Sequence, residues 1–447
     1  MAHPPRELAD RAVAPAEDRV VDLCVDLLRL DTTNPGDGSG PGERAAAEHV
    51  AGILAGCGLE PRVTESEPGR ASVVARWSGT DRTRPGLLLH GHLDVVPAVR
   101  SDWSVDPFAA EIRDGYLWGR GTVDMKGTDA MILAVVAEMT ARGQAPARDV
   151  VLAFTADEEA GGLHGARHLV ESHAEAFEGV SDAVSEVGGF SVTVDDRRLY
   201  LLQTAEKGIL WLRLVARGAP GHGSLVHADN AVTRLAAAVA RIGAHAWPVT
   251  PTPTFRAMAD RWQELTGRPL PEDDAGLAAE LGPTAAWVRA TLRNTANPTV
   301  LTAGYKHNVV PGEATALVDC RFLPGQEEAV LDEVRELAGP GVEVEVVHRD
   351  RALEQDPRNG LRTGLPALMA EVLRAEDPGA EVMPYCLSGG TDNKHFDRLG
   401  IRGYGFAPLR LPPDLDFASL FHGVDERVPV DALRFGARVL GRFVRAA

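Results

Sequence analysis

The sequence predicts an α/β fold in which a mostly parallel sheet is interrupted by a smaller α+β domain. Helical and strand patterns alternate from about Ala16 to Gln203, as expected for a parallel sheet covered on both faces. The pattern changes after residue 205 and returns from Leu361. A chain of 447 residues is also long for a single core. We therefore predict one domain formed by residues 1–205 and 351–447, with a second domain, residues 206–350, inserted into it.

The first part of the chain supplies helices and strands in turn. Apolar residues at helical spacing predict helices over Val20–Arg29, Glu43–Ala55 and Thr128–Met139. Apolar runs predict strands over Ser72–Trp77, Gly86–Leu93 and Val150–Ala156. This alternation is the reason for expecting parallel strands joined by helices.

The inserted part has a different order of elements. Its predicted strands are Ile209–Val215, Ala314–Phe322 and Val342–Val347, and its predicted helices are Asp229–Ile242 and Glu327–Leu337. Two helices on one face of a small antiparallel sheet would account for this order. The segment Trp247–Asn297 between them is either a helical excursion or a loop that covers a substrate.

A histidine and an aspartate end the strand predicted at residues 86–93. Successive side chains of a strand alternate between its faces, so His92 and Asp94 project to the same side. A carboxylate in that place can orient the ring of a metal-binding histidine. Taken alone, however, a His-x-Asp pair is more often ordinary polar decoration at the end of a strand.

Further acidic and imidazole groups follow at comparable places, where an apolar run stops and glycine begins. These groups are Asp124, the adjacent Glu158 and Glu159, Glu186 and the distant His422. In open α/β sheets such places form the ligand site beyond the carboxyl ends of the strands. The two glutamates would also suit a solvated helix start. Buried acids repel one another, so a cluster of this kind calls for cations, enough for two metals if one carboxylate is shared.

With these motifs the chain resembles the co-catalytic zinc metallopeptidases, the family of aminoacylase, glutamate carboxypeptidase, carnosinase, acetylornithine deacetylase and succinyl-diaminopimelate desuccinylase. The resemblance runs from about Glu17 to Arg442 and rests on several separate motifs in the family's order. It implies a zinc-peptidase domain with a mostly parallel sheet. It also implies a ferredoxin-like lid domain that makes the dimer contact.

The resemblance assigns a role to each motif residue by position. The implied ligands of one ion are His92, Asp124 and Glu186, and those of the other are Asp124, Glu159 and His422. Asp94 would orient His92, and Glu158 would be the general base. The implied cofactors are two zinc ions, although cobalt or manganese would also suit such a site.

One motif departs from the family pattern. The family often has Asn-Glu-Gly-Gly where this chain reads Ser185-Glu186-Val187-Gly188-Gly189. The departure leaves Asp182 as the alternative to Glu186. For Asp182 itself, a surface acid is the simpler interpretation.

The inserted domain carries two further candidates. His222 lies between two glycines, where the backbone can approach a ligand closely, although a turn histidine would look the same. In the family this histidine reaches into the partner subunit's site and stabilises the oxyanion. The guanidinium of Arg321 can hold a substrate carboxylate with two parallel hydrogen bonds, or it can pair with Asp319 or Glu313.

Substrate contacts are also predicted at two polar segments. Asn308 is expected to hold the polar backbone of a substrate. The segment Ser388-Gly389-Gly390-Thr391 follows a strand, and its backbone N–H groups can form a nest for a carboxylate. The alternative for this segment is a plain helix cap by Ser388 or Asp392.

Composition excludes several classes of partner. The chain has 46 Lys and Arg against 64 Asp and Glu, a net charge of −18, which argues against nucleic acid or an anionic membrane. No run approaches the roughly 20 apolar residues that a membrane span needs, and the first residues lack the core of a signal peptide. We expect a cytoplasmic protein. Its four cysteines lack Cys-x-x-Cys spacing, so neither a disulfide framework nor a cysteine zinc site is expected.

These observations predict a metal-dependent hydrolase that cleaves an amide bond of a dipeptide or N-acyl amino acid with a free carboxylate. We expect it to form a homodimer through the inserted domain. The alternative is a metal-stabilised binding or regulatory relative that does not catalyse. A cysteine hydrolase built from Cys386 and His395 lacks a third group to orient the histidine. His90, His164 and His395 are expected to be structural or surface residues.

Overall fold

The computed structural model of the protein describes residues 14–355 and 361–447, and they divide into two compact units. The first unit contains residues 14–204 and 361–384 together with Thr391–Ala447. The second unit contains residues 205–355 and the short segment Tyr385–Gly390. The sequence places Tyr385–Gly390 in the returning α/β pattern, but in the structure this segment belongs to the second unit.

Helices and strands are numbered here in chain order over the described residues. The helices are α1 (Ala16–Leu28), α2 (Arg44–Gly56), α3 (Lys126–Ala141), α4 (Ala166–Ser172), α5 (Ala231–Ala244), α6 (Pro253–Thr266), α7 (Asp274–Leu281), α8 (Ala285–Arg289), α9 (Glu327–Ala338), α10 (Gly364–Glu376), α11 (Asn393–Phe396) and α12 (Val430–Ala446). The first strands are β1 (Arg62–Glu65), β2 (Ala71–Trp77), β3 (Gly86–His92), β4 (Glu111–Arg113), β5 (Tyr116–Trp118), β6 (Val150–Thr155), β7 (Val180–Ser185), β8 (Phe190–Val194), β9 (Arg197–Glu206) and β10 (Gly208–Arg217). The remaining strands are β11 (Gly221–His222), β12 (Thr295–Ala303), β13 (Val309–Val310), β14 (Glu313–Phe322), β15 (Val342–Asp350), β16 (Leu353–Glu354), β17 (Glu381–Leu387), β18 (Arg402–Gly405) and β19 (Arg427–Pro429).

The first unit is built on a sheet whose centre is parallel. Its strands follow the order β1-β2-β6-β3-β7-β18-β9, and the four central strands β6, β3, β7 and β18 run parallel to their neighbours within that group. The flanking pairs β1–β2, β2–β6 and β18–β9 are antiparallel. The predicted α/β class with a mostly parallel central sheet is therefore confirmed, with antiparallel strands at both flanks.

Helices cover this sheet because its central strands are rich in apolar residues and are buried. All seven residues of β3 and all six of β6 are buried. On one face, side chains of α4 and Phe396 pack with Leu88, Val151 and Ala183. Helix α3 contacts β3 and also α1 and α12, and it is buried from Lys126 to Met139. The run from Ala130 to Ala137 is apolar on every side of the helix, which suits this interior position.

The contact between α3 and β3 requires a glycine near the end of the strand. A Cβ atom at Gly91 would lie 2.1 Å from Oδ1 of Asp129 and 2.7 Å from Cε of Met125. Any side chain at position 91 would therefore push α3 away from the strand that carries His92. The missing side chain fixes the approach of the helix to the sheet.

The second unit has an antiparallel sheet in the order β12-β14-β10-β15. Helices α5 and α9 contribute Leu235, Ile242, Val330 and Val334 to a core with the buried side of this sheet. In chain order these elements read strand, helix, strand, strand, helix, strand, which is the ferredoxin-like arrangement. Between α5 and β12 lie α6, α7 and α8, so the helical excursion predicted as one alternative for residues 247–297 is correct.

No helix among residues 14–355 and 361–447 combines the length and apolar character needed to cross a bilayer.

Replacing Phe443 with alanine tests the packing of α12 in the first unit. The Phe443 side chain is fully buried, and its ring centroid lies 5.4 Å from that of Phe406. Loss of such a ring leaves a cavity and costs about 3–5 kcal/mol of folding free energy. We expect a clearly lower midpoint in thermal unfolding. Leu399→Ala, at a side chain with 37% exposure, should change the midpoint little; equal midpoints for the two variants would contradict this packing.

Candidate metal centre

The candidate centre lies where three neighbouring parallel strands of the first unit end. His92 is the last residue of β3, Glu158 and Glu159 lie in a short 3-10 turn after β6, and Glu186 follows β7. Strand β3 pairs with both β6 and β7 in parallel. The carboxyl ends of the three strands therefore meet at one edge of the sheet, which is where such sheets bind ligands.

Two groups of side chains meet at this edge, and Asp124 belongs to both. The donor atoms of His92, Asp124 and Glu186 lie within 4.8 Å of one another, as do those of Asp124, Glu159 and His422. Nε2 of His92 lies 3.0 Å from Oδ1 of Asp124, while Nε2 of His422 lies 3.2 Å from Oδ2. The two oxygens of one carboxylate thus face different groups.

Each group is completed by a glutamate. Oε2 of Glu186 lies 3.6 Å from Nε2 of His92, and Oε2 of Glu159 lies 3.0 Å from Nε2 of His422. Asp124, Glu186 and His92 are buried, and the imidazole of His422 is half-exposed. Each group therefore has three donor residues, of which two are its own and the third is the shared Asp124 carboxylate.

The electrostatics of the site fit a pair of cations. Burial, followed by the charge of Asp124, raises the pKa of Glu159 to about 8. Burial also raises the pKa of Glu186 well above its ordinary value. In the described part of the chain, Oε1 of Glu159 is buried without a hydrogen-bond partner. Crowded carboxylates with an unsatisfied oxygen and two imidazoles match the donor chemistry of zinc, cobalt or manganese.

Asp94 supports both the histidine and the turn that carries the glutamates. Nδ1 of His92 lies 3.0 Å from the backbone carbonyl oxygen of Asp94 and 3.5 Å from its Oδ1. The Asp94 carboxylate accepts hydrogen bonds from the backbone N–H groups of Glu158 and Glu159, each at 3.1 Å. It also accepts one from Nδ2 of Asn34 at 2.9 Å. The nearest partner of Nδ1 is therefore the Asp94 backbone, and the Asp94 carboxylate mainly fixes the turn.

Glu158 stands beside the two groups and belongs to neither. Its Oε1 lies 4.0 Å from Nζ of Lys394, a side chain with 3% exposure. Burial raises the pKa of Glu158, while Lys394 acts against that rise. Glu158 is thus a buried carboxyl group near a buried lysine and outside both donor groups.

Several residues of the centre were missed from the sequence. Asn34 links Asp94 with Asp157, because its Nδ2 donates to both carboxylates. Glu426 accepts hydrogen bonds from the loop that carries Asp124, and Lys394 faces Glu158. Asn34 and Lys394 carried no motif signal, whereas Glu426 lies only four residues after His422.

Asp182 is neither a surface acid nor a member of the two donor groups. It is buried, and its Oδ2 lies 3.5 Å from Nη1 of Arg148 while its Oδ1 lies 2.7 Å from Nη2 of Arg402. The surface interpretation is therefore wrong, and Asp182 lies in neither donor group. Asp182 lies inside β7, three residues before the strand ends, whereas Glu186 follows the strand end.

In the second unit, the structure brings His222 and Asn308 together. Strand β11 pairs with β13, and the N–H of Gly223 donates to the carbonyl of Asn308 at 2.9 Å. His222 is exposed, with its Nδ1 2.8 Å from Oγ of Ser224. Arg321 donates two hydrogen bonds to the Asp319 carboxylate, at 2.7 and 3.0 Å. Pairing with Asp319 was one of the alternatives that the sequence left open for Arg321.

The remaining predicted residues lie at the boundary between the two units in sequence. Ser388, Gly389 and Gly390 belong to the second unit, and Thr391 begins the next segment of the first. The Asp392 side chain makes no cap of α11 and instead accepts a hydrogen bond from Oγ1 of Thr155 at 2.7 Å. A helix cap by Asp392 is therefore wrong.

The cysteine and histidine alternatives are also decided by local contacts. Burial raises the pKa of the Cys386 thiol far above its ordinary value, which opposes formation of a nucleophilic thiolate. His90 is buried with its Nε2 2.9 Å from Oδ1 of Asn393, and Nε2 of His395 lies 3.0 Å from the carbonyl oxygen of Gly161. The Nδ1 of His164 lies 3.9 Å from Oε1 of Glu67 at the surface. The three histidines have local structural or surface contacts.

Comparison with known proteins places these features in context. The model of peptidase family M20/M25/M40 matches residues 88–446. The N-fatty-acyl-amino acid synthase/hydrolase PM20D1 of Xenopus tropicalis is 32% identical over 386 residues, covering 82% of this chain and 73% of that protein. Human aminoacylase-1 is 26% identical over 431 residues, covering 95% and 94%.

Solved structures show the same fold. The metallo-carboxypeptidase Sso-CP2 of Sulfolobus solfataricus superposes with a TM-score of 0.72 at 18% identity, covering 96% of this chain and 99% of that one. A dinuclear metal-binding peptidase of Bacillus subtilis superposes with a TM-score of 0.59 at 14% identity, covering 96% and 98%. At these identities the likeness is one of fold.

The metal-free protein should lose stability as the pH rises. The pKa of Glu159 is about 8 because of burial, and that of His422 is about 10 because of its hydrogen bonds to Asp124 and Glu159. The ordinary pKa values are 4.5 for Glu159 and 6.5 for His422. The folded state therefore holds more protons than the unfolded state between pH 4.5 and about 8 at Glu159, and between pH 6.5 and about 10 at His422. Stability then decreases through this range. Thermal unfolding of chelator-treated protein at several pH values measures it, and a midpoint that rises from acidic to alkaline pH would contradict the assignment.

Proposed function

The chain belongs to peptidase family M20/M25/M40, and from this premise we propose that it hydrolyses the amide bond of an N-acyl amino acid or dipeptide that carries a free carboxylate. The observation that carries the proposal is the Asp124 carboxylate shared by two donor groups, with the buried Glu158 near enough to interact electrostatically with His92 and Asp124. The resemblance to hydrolases supports an enzyme over a binding protein without activity.

Two metal ions would complete the centre. His92, Asp124 and Glu186 would hold one, and Asp124, Glu159 and His422 would hold the other. When bound, such ions act as Lewis acids and make a water molecule a better nucleophile at neutral pH. We propose zinc for both positions, with cobalt or manganese as functional substitutes.

Glu158 is the proposed general base. Its carboxylate takes a proton from the attacking water as the oxygen bonds to the amide carbon. It then gives that proton to the nitrogen as the carbon–nitrogen bond breaks, so the products are a carboxylic acid and an amine. Burial, which raises the pKa of Glu158, suits a group that must both accept and return a proton near neutral pH.

Residues of the second unit supply the proposed substrate contacts. His222 would stabilise the negative oxygen of the tetrahedral intermediate, from one subunit to the other in a homodimer. Asn308, Arg321 and the segment 388–391 would hold the polar end of the substrate. Arg321 would need to exchange its contact with Asp319 for one with the substrate carboxylate. Under this proposal residues 206–350 act as the lid and the dimerisation domain of a cytoplasmic enzyme.

The names of the relatives favour one substrate class. One is an aminoacylase and another is a synthase/hydrolase of N-fatty-acyl amino acids. We therefore propose N-acyl amino acids ahead of dipeptides for this chain.

A pair of adjacent substitutions tests the roles of the two glutamates. Glu158→Gln should retain both metal ions and lose turnover by about a hundredfold to ten-thousandfold, because only the proton carrier is removed. Glu159→Gln should lose metal, because it removes a ligand of the second group. Metal content and turnover are measured on the same samples. A metal-loaded Glu158→Gln protein with wild-type turnover would remove Glu158 from this role.

A substrate panel tests the function itself. N-acyl amino acids and dipeptides are compared with the same compounds whose carboxylate is converted to an amide. We expect hydrolysis of the free acids by zinc- or cobalt-loaded protein, and a higher KM for the blocked compounds because the carboxylate contact is lost. A protein that carries two ions and cleaves no member of the panel would contradict the proposal.

A further inference from the structure

The carboxylate of Glu426 is completely buried beneath the loop that carries Asp124. Its Oε1 accepts hydrogen bonds from the backbone N–H groups of Val123 at 2.7 Å and Asp124 at 3.1 Å. Its Oε2 accepts one from the N–H of Gly121 at 3.1 Å. Three nearby backbone donors thus converge on one anion, in the manner of a backbone nest.

Arg120 completes the clamp and extends it to His422. Nη1 of Arg120 lies 2.6 Å from Oε2 of Glu426, and both side chains are buried. Nη2 of the same guanidinium donates to the backbone carbonyl of His422 at 3.4 Å. The guanidinium also lies over the ring of Trp103, 5.1 Å from its centroid. Removing one partner of a buried ion pair is strongly destabilising, because the other charge is then left uncompensated.

The backbone of the two segments is joined at the same point. The N–H of Gly119 donates to the carbonyl of Glu426 at 3.0 Å, and β19 pairs with β5 next to it. His422 has a φ of 58°, a left-handed conformation that neighbouring structure must hold in place for a residue with a side chain. The segment 422–426 and the loop 119–124 therefore form one connected piece.

We infer that Glu426 is a positioning residue that fixes the shared carboxylate Asp124 relative to His422. This role rests on the proposed function of the centre as a site for two metal ions. All the contacts of the clamp are formed within the protein, so the clamp holds the loop in shape before any ion binds. Asp124 must place one carboxylate oxygen toward each donor group. Because Glu426 holds the backbone N–H of Asp124, the backbone from which this side chain extends is fixed.

A negative charge is needed for this role. Four N–H donors meet the Glu426 carboxylate, and Oγ1 of Thr122 lies 3.5 Å from its Oε1. The four N–H groups can only donate, so they offer no acceptor to an amide NH2 in the place of a carboxylate oxygen. A glutamine would keep one oxygen but turn an amide NH2 toward backbone N–H groups or toward Arg120. The substitution therefore keeps the shape of the side chain and breaks the clamp.

The test compares Glu426→Gln with Glu138→Gln as a matched control. Glu138 is also a buried carboxylate bound by a backbone N–H, that of Ala16, and by two arginines, and it lies outside the centre. Titration of metal-free protein with Co²⁺ should give about 10–100-fold weaker binding for Glu426→Gln, the usual effect of losing an outer partner of a metal ligand. Glu138→Gln should bind Co²⁺ as the wild type does.

Hydrogen exchange gives a second readout without metal or activity. In metal-free protein, the peptide that covers residues 119–124 should exchange faster in Glu426→Gln than in the wild type or in Glu138→Gln. Should Glu426→Gln fail to fold, Arg120→Lys serves instead, with a smaller change in the same direction. Co²⁺ affinity and exchange equal to the wild type would overturn the inference. Wild-type protein that binds Co²⁺ but cleaves no substrate would count against the proposed function alone.

Discussion

The first unit is organised around the mutual repulsion of carboxylates that are buried at one edge of a parallel sheet. The two oxygens of Asp124 face the imidazoles of His92 and His422, and a glutamate oxygen lies near the same ring nitrogen of each. Such a cluster is costly in a folded protein unless positive charge compensates it. Burial, with the charge of Asp124 adding to it, raises the pKa values of Glu159 and Glu186 in the metal-free state. Two cations are the simplest way to relieve it.

The surrounding residues hold the donor residues in position even without a metal ion. Asp94 fixes the turn of Glu158 and Glu159 through their backbone N–H groups, and Asn34 holds Asp94 in turn. Glu426 does the same for the loop of Asp124. Each device uses a buried carboxylate to order backbone N–H groups, so the shape of the centre is set by the fold. In the proposed mechanism, the general base Glu158 and the ligand Glu159 are adjacent residues of the turn that Asp94 holds.

Features that depend on local sequence pattern could be predicted from the sequence. Apolar runs that end in His92, Glu158 and Glu186 predicted the parallel strands and the edge at which they meet, and the family resemblance is confirmed. Contacts between distant segments were not predictable. Asn34 reaches Asp94 across 60 residues, and Arg148 pairs with Asp182, a partner that its own neighbourhood does not reveal. For Arg321 the sequence left open a substrate carboxylate or an ion pair with Asp319 or Glu313, and in the structure Arg321 pairs with Asp319.

The central claim is that one aspartate joins two metal ions. Crystals grown with zinc and measured at wavelengths on either side of the zinc absorption edge test it most directly. The account predicts two anomalous peaks about 3.5–4 Å apart, one on each side of the Asp124 carboxylate. A single peak, or peaks that lie away from Asp124, would contradict it.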